Sequence, residues 1–238
     1  MKVTDIRFNG IREPLGFEME HVSVSWKVTD SLSAKAAETR IRLAADPEFT
    51  GILYEKAGAD LCAFGEEIPL TLSPRTRYWC RVEVTGDAGD RAEGTSFFET
   101  GKRDEPWVGQ WIGSREEDRF HPVFFREFRV PEGAVSARLY VSGLGLYEAY
   151  VNGRKAGNDR LAPFCNDYNE AVQVQTYDAG ELLRSGENRI EIYTGNGWYK
   201  GRLGYTGQQT VYGDRFQVLA ELRASGEEIP LTLSPRTR

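Results

Sequence analysis

The sequence predicts an all-β protein built as two β-sandwiches in tandem. Three observations predict it. Short runs of alternating apolar and polar residues recur along the 238 residues, the period of strands with one buried face. Turn residues punctuate these runs, and the chain holds 25 Gly. Aromatic residues reach 12% against only 2 Met, a balance that suits pleated surfaces better than helices.

In the first half, the run from Val22 to Val28 alternates, and Trp26 lies on it. A second run from Thr39 to Ala44 alternates similarly and is broken by Asp46-Pro47. The run from Tyr78 to Val84 puts Tyr78, Cys80, Val82 and Val84 on one face, Gly86-Asp87 closes it, and residues 95–100 supply a last strand. Several short strands separated by turns within about 100 residues indicate a sandwich. One local signature sharpens this. Leu72-Ser73-Pro74-Arg75-Thr76-Arg77-Tyr78 has the spacing of a tyrosine corner, in which the phenol bonds to backbone a few residues upstream. With Trp26, it makes residues 1–101 resemble a fibronectin type III domain.

Residues 102–106 are polar, end in Pro106 and read as a linker. The second domain, 107–225, opens with a strand from Phe124 to Val130, stopped by Pro131, and a second from Ala137 to Ser142. Gly143-Leu144-Gly145 follows a strand and leads into another, so it reads as a turn and not as a dinucleotide loop, which needs a helix N-terminus. The next strand, Leu146 to Val151, runs into Asn152-Gly153, the strongest short hairpin signal. Asp178 to Ser185 is the single helix candidate, with Asp178 as N-cap and Gly186 as stop. Asn188 to Tyr193 returns to strand. The expected architecture is a jelly-roll-type sandwich with long loops at one end.

Residues 65–77 recur without change as 226–238. Solenoid repeats drift and tile a chain, and this one does neither. The second copy reads as a scar of sequence assembly, cloning or recombination, outside the functional reasoning. The alternative is a genuine final strand over Ile229 to Leu233.

Charge and composition exclude several functions. The net charge is −6 with no Lys/Arg cluster, so no nucleic-acid partner is expected. No apolar run approaches the ~18 residues of a membrane span, so no membrane partner is expected. Lys2 is followed by no apolar signal region, which points to the cytoplasm. Cys62, Cys80 and Cys165 form no paired motif and are expected as small buried hydrophobes. Two histidines about a hundred residues apart, His21 and His121, give no basis for a zinc site. No nucleophile elbow, P-loop or paired catalytic acid is legible.

One stretch of Asn, Asp, Gly and aromatics stands out, in three pieces: 163–168, 195–205 and 212–215. Aromatic rings pack on the C–H faces of sugars, and Asn, Asp and Arg bond to hydroxyls. The candidate sugar contacts are Asn166, Asp167, Tyr168, Asn196, Trp198, Tyr199, Arg202 and Asp214. Loop-borne Asp and Asn oxygens could also hold Ca²⁺, a hard cation. The opposing reading makes the rings core plugs and the glycines and asparagines turn residues.

These residues also carry a family resemblance. Pro106-Trp107, Gln110-Trp111-Ile112 and Phe124 to Phe128 resemble the entry to the N-terminal domain of bacterial α-L-rhamnosidases, glycoside hydrolase family 78. Leu139 to Glu148 with Val151-Asn152-Gly153 is similar to that family's hairpin. Tyr177-Asp178, Leu182-Leu183, Gly186-Glu187-Asn188, the run from Gly195 to Arg202, and Tyr212-Gly213-Asp214 are similar in order and spacing. The likeness covers about residues 106–224, with Ala179-Gly180 and Cys165 as departures. It implies inverting hydrolysis of terminal α-L-rhamnose by an (α/α)₆ barrel with acidic catalytic residues. None of that barrel is expected in this chain. So no catalytic residue carries over, and the chain is not expected to be active alone. The resemblance implies a rhamnose-containing carbohydrate and the absent catalytic domain as partners, with calcium as a possible cofactor. The alternative is a purely structural interdomain module.

Overall fold

In the computed structural model, which describes residues 1–114, 121–132, 136–225, 227–229, 231 and 234–236, the alternating runs become strands. In the first half these are β1 (Lys2–Phe8), β2 (Leu15–Phe17), β3 (Val22–Thr29), β4 (Ala36–Ala44), β5 (Ile52–Gly58), β6 (Glu66–Ile68), β7 (Arg77–Gly86) and β8 (Arg91–Thr100). They form two sheets, ordered β1-β3-β6 and β2-β8-β7-β4-β5. Burial alternates residue by residue along β7, as its period-two pattern dictates. Phe8, Trp26, Ile41, Leu43, Cys80, Val82 and Phe98 fill the space between the sheets. The tyrosine corner is present: the Tyr78 hydroxyl accepts the Ser73 N–H at 2.8 Å. Its ring stacks on Phe98 at 5.1 Å.

The strand β1 is not legible in the sequence because its alternation is broken. Asp5 sits at φ 52° in a bulge where the register shifts between Thr4 and Arg7. The buried residues are therefore Val3, Ile6 and Phe8, not a strict every-other set. The bulged Asp5 carboxylate meets Arg7 at 2.9 Å, Arg12 at 2.5 Å and Lys27 at 2.7 Å. These cations, Arg7 foremost, hold its pKa well below the usual carboxylate range.

The compact units run Met1–Glu105 and Pro106–Arg238. The segment read as linker is tied at both sides. Arg75 Nε meets Glu105 at 2.7 Å, and Arg103 donates to the Leu72 carbonyl at 2.7 Å. Beyond Pro106, the buried Glu221 carboxylate accepts the Val108 and Gly109 N–H groups.

The second unit contains β9 (Ile112–Gly113), β10 (Val123–Val130), β11 (Ala137–Leu144), β12 (Leu146–Val151), β13 (Arg154–Lys155), β14 (Gln175–Asp178), β15 (Gly186–Gly195), α1 (Gly197–Lys200), β16 (Arg202–Leu203), β17 (Gln208–Gln209), β18 (Gln217–Ala224), β19 (Glu227–Ile229) and β20 (Ser234–Arg236). Two antiparallel sheets, β13-β12-β15-β10-β20 and β14-β11-β18-β19, enclose Phe124, Leu139, Val141, Ile190, Ile192 and Leu222. Gly145, at φ 114°, carries the chain from one sheet to the other between β11 and β12. Asn152 (φ 52°) and Gly153 (φ 78°) make the expected hairpin turn.

Two expectations are corrected here. The helix expected over Asp178 to Ser185 is one 3₁₀ turn, Gly180–Leu182, because Asp178 Oδ1 accepts the Gly180 N–H and Leu183 is already extended. Cys80 is buried, but Cys62 and Cys165 are exposed, since both lie on loops. Of the second thirteen-residue copy, 226, 230, 232, 233, 237 and 238 lie outside the described residues. Its residues 227–229 pair with β18, 234–236 pair with β10, and Leu231 is buried in the second core.

Candidate functional site

Two long connections leave the same end of the second sandwich. One joins β13 to β14 and the other joins β15 to β18, with α1, β16 and β17 inside it. Their bases are close because Leu146 pairs with Gly195, Leu144 pairs with Gln217, and Tyr147 bridges to Ala162. The tips meet through aromatic rings. Tyr168 contacts Tyr199 edge-on at 5.1 Å and Tyr212 at 5.2 Å. Burial raises the pKa of both Tyr168 and Tyr199, and the Asp214 charge raises that of Tyr199 further.

Glycines make this packing possible. A Cβ on Gly213 would lie 2.1 Å from the Tyr199 hydroxyl oxygen. Gly197, at φ 52°, would place a Cβ 2.5 Å from Leu146 Cγ. These glycines leave room for protein side chains.

The other predicted residues divide. Asn166 donates to the carbonyls of Pro163 (3.4 Å) and Phe164 (3.2 Å), and the Tyr168 hydroxyl donates to the same Phe164 carbonyl at 3.3 Å. Asp167 Oδ1 accepts the Asn169 N–H, and its carbonyl accepts Glu170 and Ala171, so it builds its own turn. Asn196 is exposed at the start of α1, and its carbonyl accepts the Lys200 N–H. Trp198 is half-buried on α1, and Arg202 is exposed on the β16–β17 hairpin. The structure thus joins Tyr199 and Tyr212 around Tyr168, with the Asp214 charge acting on Tyr199. Among the described residues, no hydrogen bond or ring contact ties Asp167, Asn196, Trp198 or Arg202 to that group.

Sequence reasoning missed the base of the loops. Lys200 is buried with Nζ 4.2 Å above the Phe216 ring, and His121 meets the same ring at 5.6 Å. Beneath them the Tyr147 hydroxyl donates to Gln175 Oε1 at 2.6 Å and lies 3.3 Å from the Tyr177 hydroxyl. A buried lysine has no local sequence signal; only the fold supplies its ring.

Among the described residues, no three His, Cys, Asp or Glu side chains come together as metal ligands. Asp167 serves its own turn and Asp214 faces a phenol, so this donor set does not fit a calcium cradle. Among the described residues, the carboxyls displaced from their ordinary values, Asp5, Asp46, Glu66, Asp90 and Glu148, all move down.

Comparison with known proteins supplies the family. Residues 132–229 match the family model described as the α-L-rhamnosidase N-terminal domain. Residues 3–104 match the model described as the Rha78A-like N-terminal immunoglobulin domain. The first sandwich is therefore named as immunoglobulin-like, the coarser class that includes the fibronectin type III expectation. An α-L-rhamnosidase of Streptomyces avermitilis is 46% identical over 116 residues, covering 47% of this chain and 11% of that protein. One from Formosa agariphila is 24% identical over 216 residues, covering 82% and 23%. The chain thus spans about a tenth to a quarter of these relatives' lengths. The crystal structure of native α-L-rhamnosidase from Aspergillus terreus superposes with a TM-score of 0.85 at 27% identity, over 99% of this chain and 29% of that one. The Streptomyces avermitilis α-L-rhamnosidase complexed with L-rhamnose shares the fold, with a TM-score of 0.79 at 19% identity over 99% and 40%. Through these two N-terminal domains, the chain belongs to the α-L-rhamnosidase family.

Proposed function

We propose that this chain is the non-catalytic N-terminal region of an α-L-rhamnosidase, and that the loop end of its second unit contacts rhamnose-bearing carbohydrate. The whole enzyme would hydrolyse terminal α-L-rhamnose with inversion, using acids outside residues 1–238. The observation that carries the contact is the aromatic group Tyr168, Tyr199 and Tyr212 beside Asp214. It offers ring edges and a carboxylate at the loop tips, the pairing a polyhydroxyl ligand uses. Titration with L-rhamnose, with and without Ca²⁺, tests it by NMR. The ring signals of Tyr199 and Tyr212 should shift and saturate in the millimolar range, with Trp198 following. Unmoved signals at high millimolar sugar would sink the contact.

A specific observation favours a second reading. Leu161 (55%), Phe164 (40%), Val174 (41%), Val211 (49%) and the fully exposed Tyr205 lie on the same two loops. Exposed apolar groups gathered at one end of a sandwich suit a packing surface for the rest of the polypeptide. Self-association of the chain without any response to sugar would favour this reading.

A further inference from the structure

The chain contains three Asn-Gly steps, Asn9-Gly10, Asn152-Gly153 and Asn196-Gly197. Such a step is chemically reactive. With no Cβ on the second residue, its backbone nitrogen can close on the asparagine side-chain carbonyl carbon. The fold treats the three steps differently. Asn9 Nδ2 donates to the His21 carbonyl at 2.8 Å, and its Oδ1 accepts the Ser23 N–H at 2.8 Å and the Ser23 hydroxyl at 3.2 Å. Asn152 Nδ2 donates to the Leu182 carbonyl at 2.9 Å and to Asn188 Oδ1 at 2.8 Å, and its Oδ1 accepts the Arg189 N–H at 3.0 Å. Both amides are held at both ends. Asn196 is exposed, and among the described residues its side-chain amide has no hydrogen bond. Gly197 opens α1, so its N–H has no acceptor within that helix. The single turn is closed by the Lys200 N–H on the Asn196 carbonyl at 3.2 Å and the Gly201 N–H on the Gly197 carbonyl at 3.0 Å. One turn gains few bonds for the residues it fixes, so it opens at low cost. Ring closure needs rotation about ψ of Asn196, now −48°, and the hydrogen bond that resists it is the one to Lys200.

We infer that Asn196 is a site of spontaneous deamidation, and that it converts while Asn9 and Asn152 persist. The Gly197 nitrogen bonds to Asn196 Cγ, its proton passes to solvent, and the side-chain nitrogen leaves as ammonia. The cyclic imide then takes up one water. Opening at the new Cγ–N bond gives aspartate. Opening at the original peptide bond gives isoaspartate, whose chain runs through Cγ. The net change is one water in and one ammonia out, with no oxidant or reductant. Either product puts a carboxylate at residue 196. Isoaspartate also lengthens the backbone by one carbon, and the carbonyl that accepts the Lys200 N–H leaves the chain to become a side carboxylate. The turn loses its register there. Lys200, buried with its ammonium over the Phe216 ring, moves with it. An exposed residue thus reaches the buried base of the loops. The inference does not depend on sugar binding.

The test is peptide mapping by mass spectrometry of the full chain held in mildly alkaline buffer. Residue 196 should gain an acid at least about tenfold faster than residues 9 and 152, which must first break the hydrogen bonds at their amides. In guanidinium chloride the ranking should vanish, since all three steps are then open to the same chemistry. Asn196→Gln should suppress conversion at 196 and leave the rates at 9 and 152 unchanged, because the longer side chain closes a larger ring more slowly. The isoaspartate form, separated by chromatography, should shift the Phe216 ring signals in NMR. Asn196→Asp, with the carboxylate on a normal backbone, should shift them less. Similar rates at the three steps in the folded chain, faster conversion at 9 or 152, or an Asn196 that persists while the unfolded chain converts would each overturn the inference. Unmoved Phe216 signals in the isoaspartate form would overturn its reach to the loop base.

Discussion

Gly213 illustrates how much a single position can decide in the loop end. A methyl group there would collide with the Tyr199 hydroxyl, and that ring cannot retreat freely because Tyr168 lies against it. Gly204 and Gly207 differ in kind: both have positive φ (63° and 67°), but a Cβ on either would meet nothing within 4 Å. Their need is conformational, whereas that of Gly213 is steric. Gly213→Ala should therefore displace the Tyr199 ring and destabilise the second unit by about 1–3 kcal/mol, the usual cost of overpacking. Thermal unfolding and the Tyr199 ring shift measure the two effects. A variant with unchanged melting and an unchanged ring signal would show that the loop tips are slack.

At the scale of elements, strands that keep a strict period are the ones legible in the sequence. The strands β3, β7, β12 and β15 belong to this group, because apolar residues alternate and one face of each is buried. The strand β1 does not, since the Asp5 bulge resets its phase. The four-residue α1 is hidden in Gly-Asn-Gly, which reads as a turn. In the candidate site the rings Tyr168 and Tyr199 are legible by type. The roles of Asn166 and Asp167 are not, because short polar side chains bond their own loop as readily as a ligand. The repeated segment shows the limit of local reading most directly. In the first copy Ser73 to Thr76 forms a turn, with Arg75 at φ 49°; in the second the equivalent Ser234–Arg236 is a strand on β10. Leu70 is half-buried in the first copy, and its counterpart Leu231 is 5% exposed. Leu231→Ala should therefore cost about 2 kcal/mol or more, and Leu70→Ala less, in denaturant unfolding of the full chain. Equal small costs would mean that the second copy hangs outside the core that Leu231 is seen to fill.

At the scale of the whole molecule, each half has its own reason to fold. The first core is built on Phe8, Trp26, Ile41 and Phe98, and the second on Phe124, Leu139, Tyr147 and Ile192, with no residue shared. The boundary at Glu105 and Pro106 falls between two sets of anchors: Arg75 and Arg103 hold the chain before it, and Glu221 holds it after. Units of this size bury enough apolar surface to be stable alone, and small single domains unfold cooperatively. Residues 1–105 and 106–238, expressed separately, should each give one sigmoidal unfolding transition in urea. Their amide NMR spectra should overlay that of the full chain except near the cut. A second fragment that is unfolded alone would show that its sandwich draws stability from the first, and Glu221 would then be the residue to examine. Its buried carboxylate is satisfied by the Val108 and Gly109 amides, so a fragment starting at Gly109 should lose one of those bonds and melt below the one starting at Pro106.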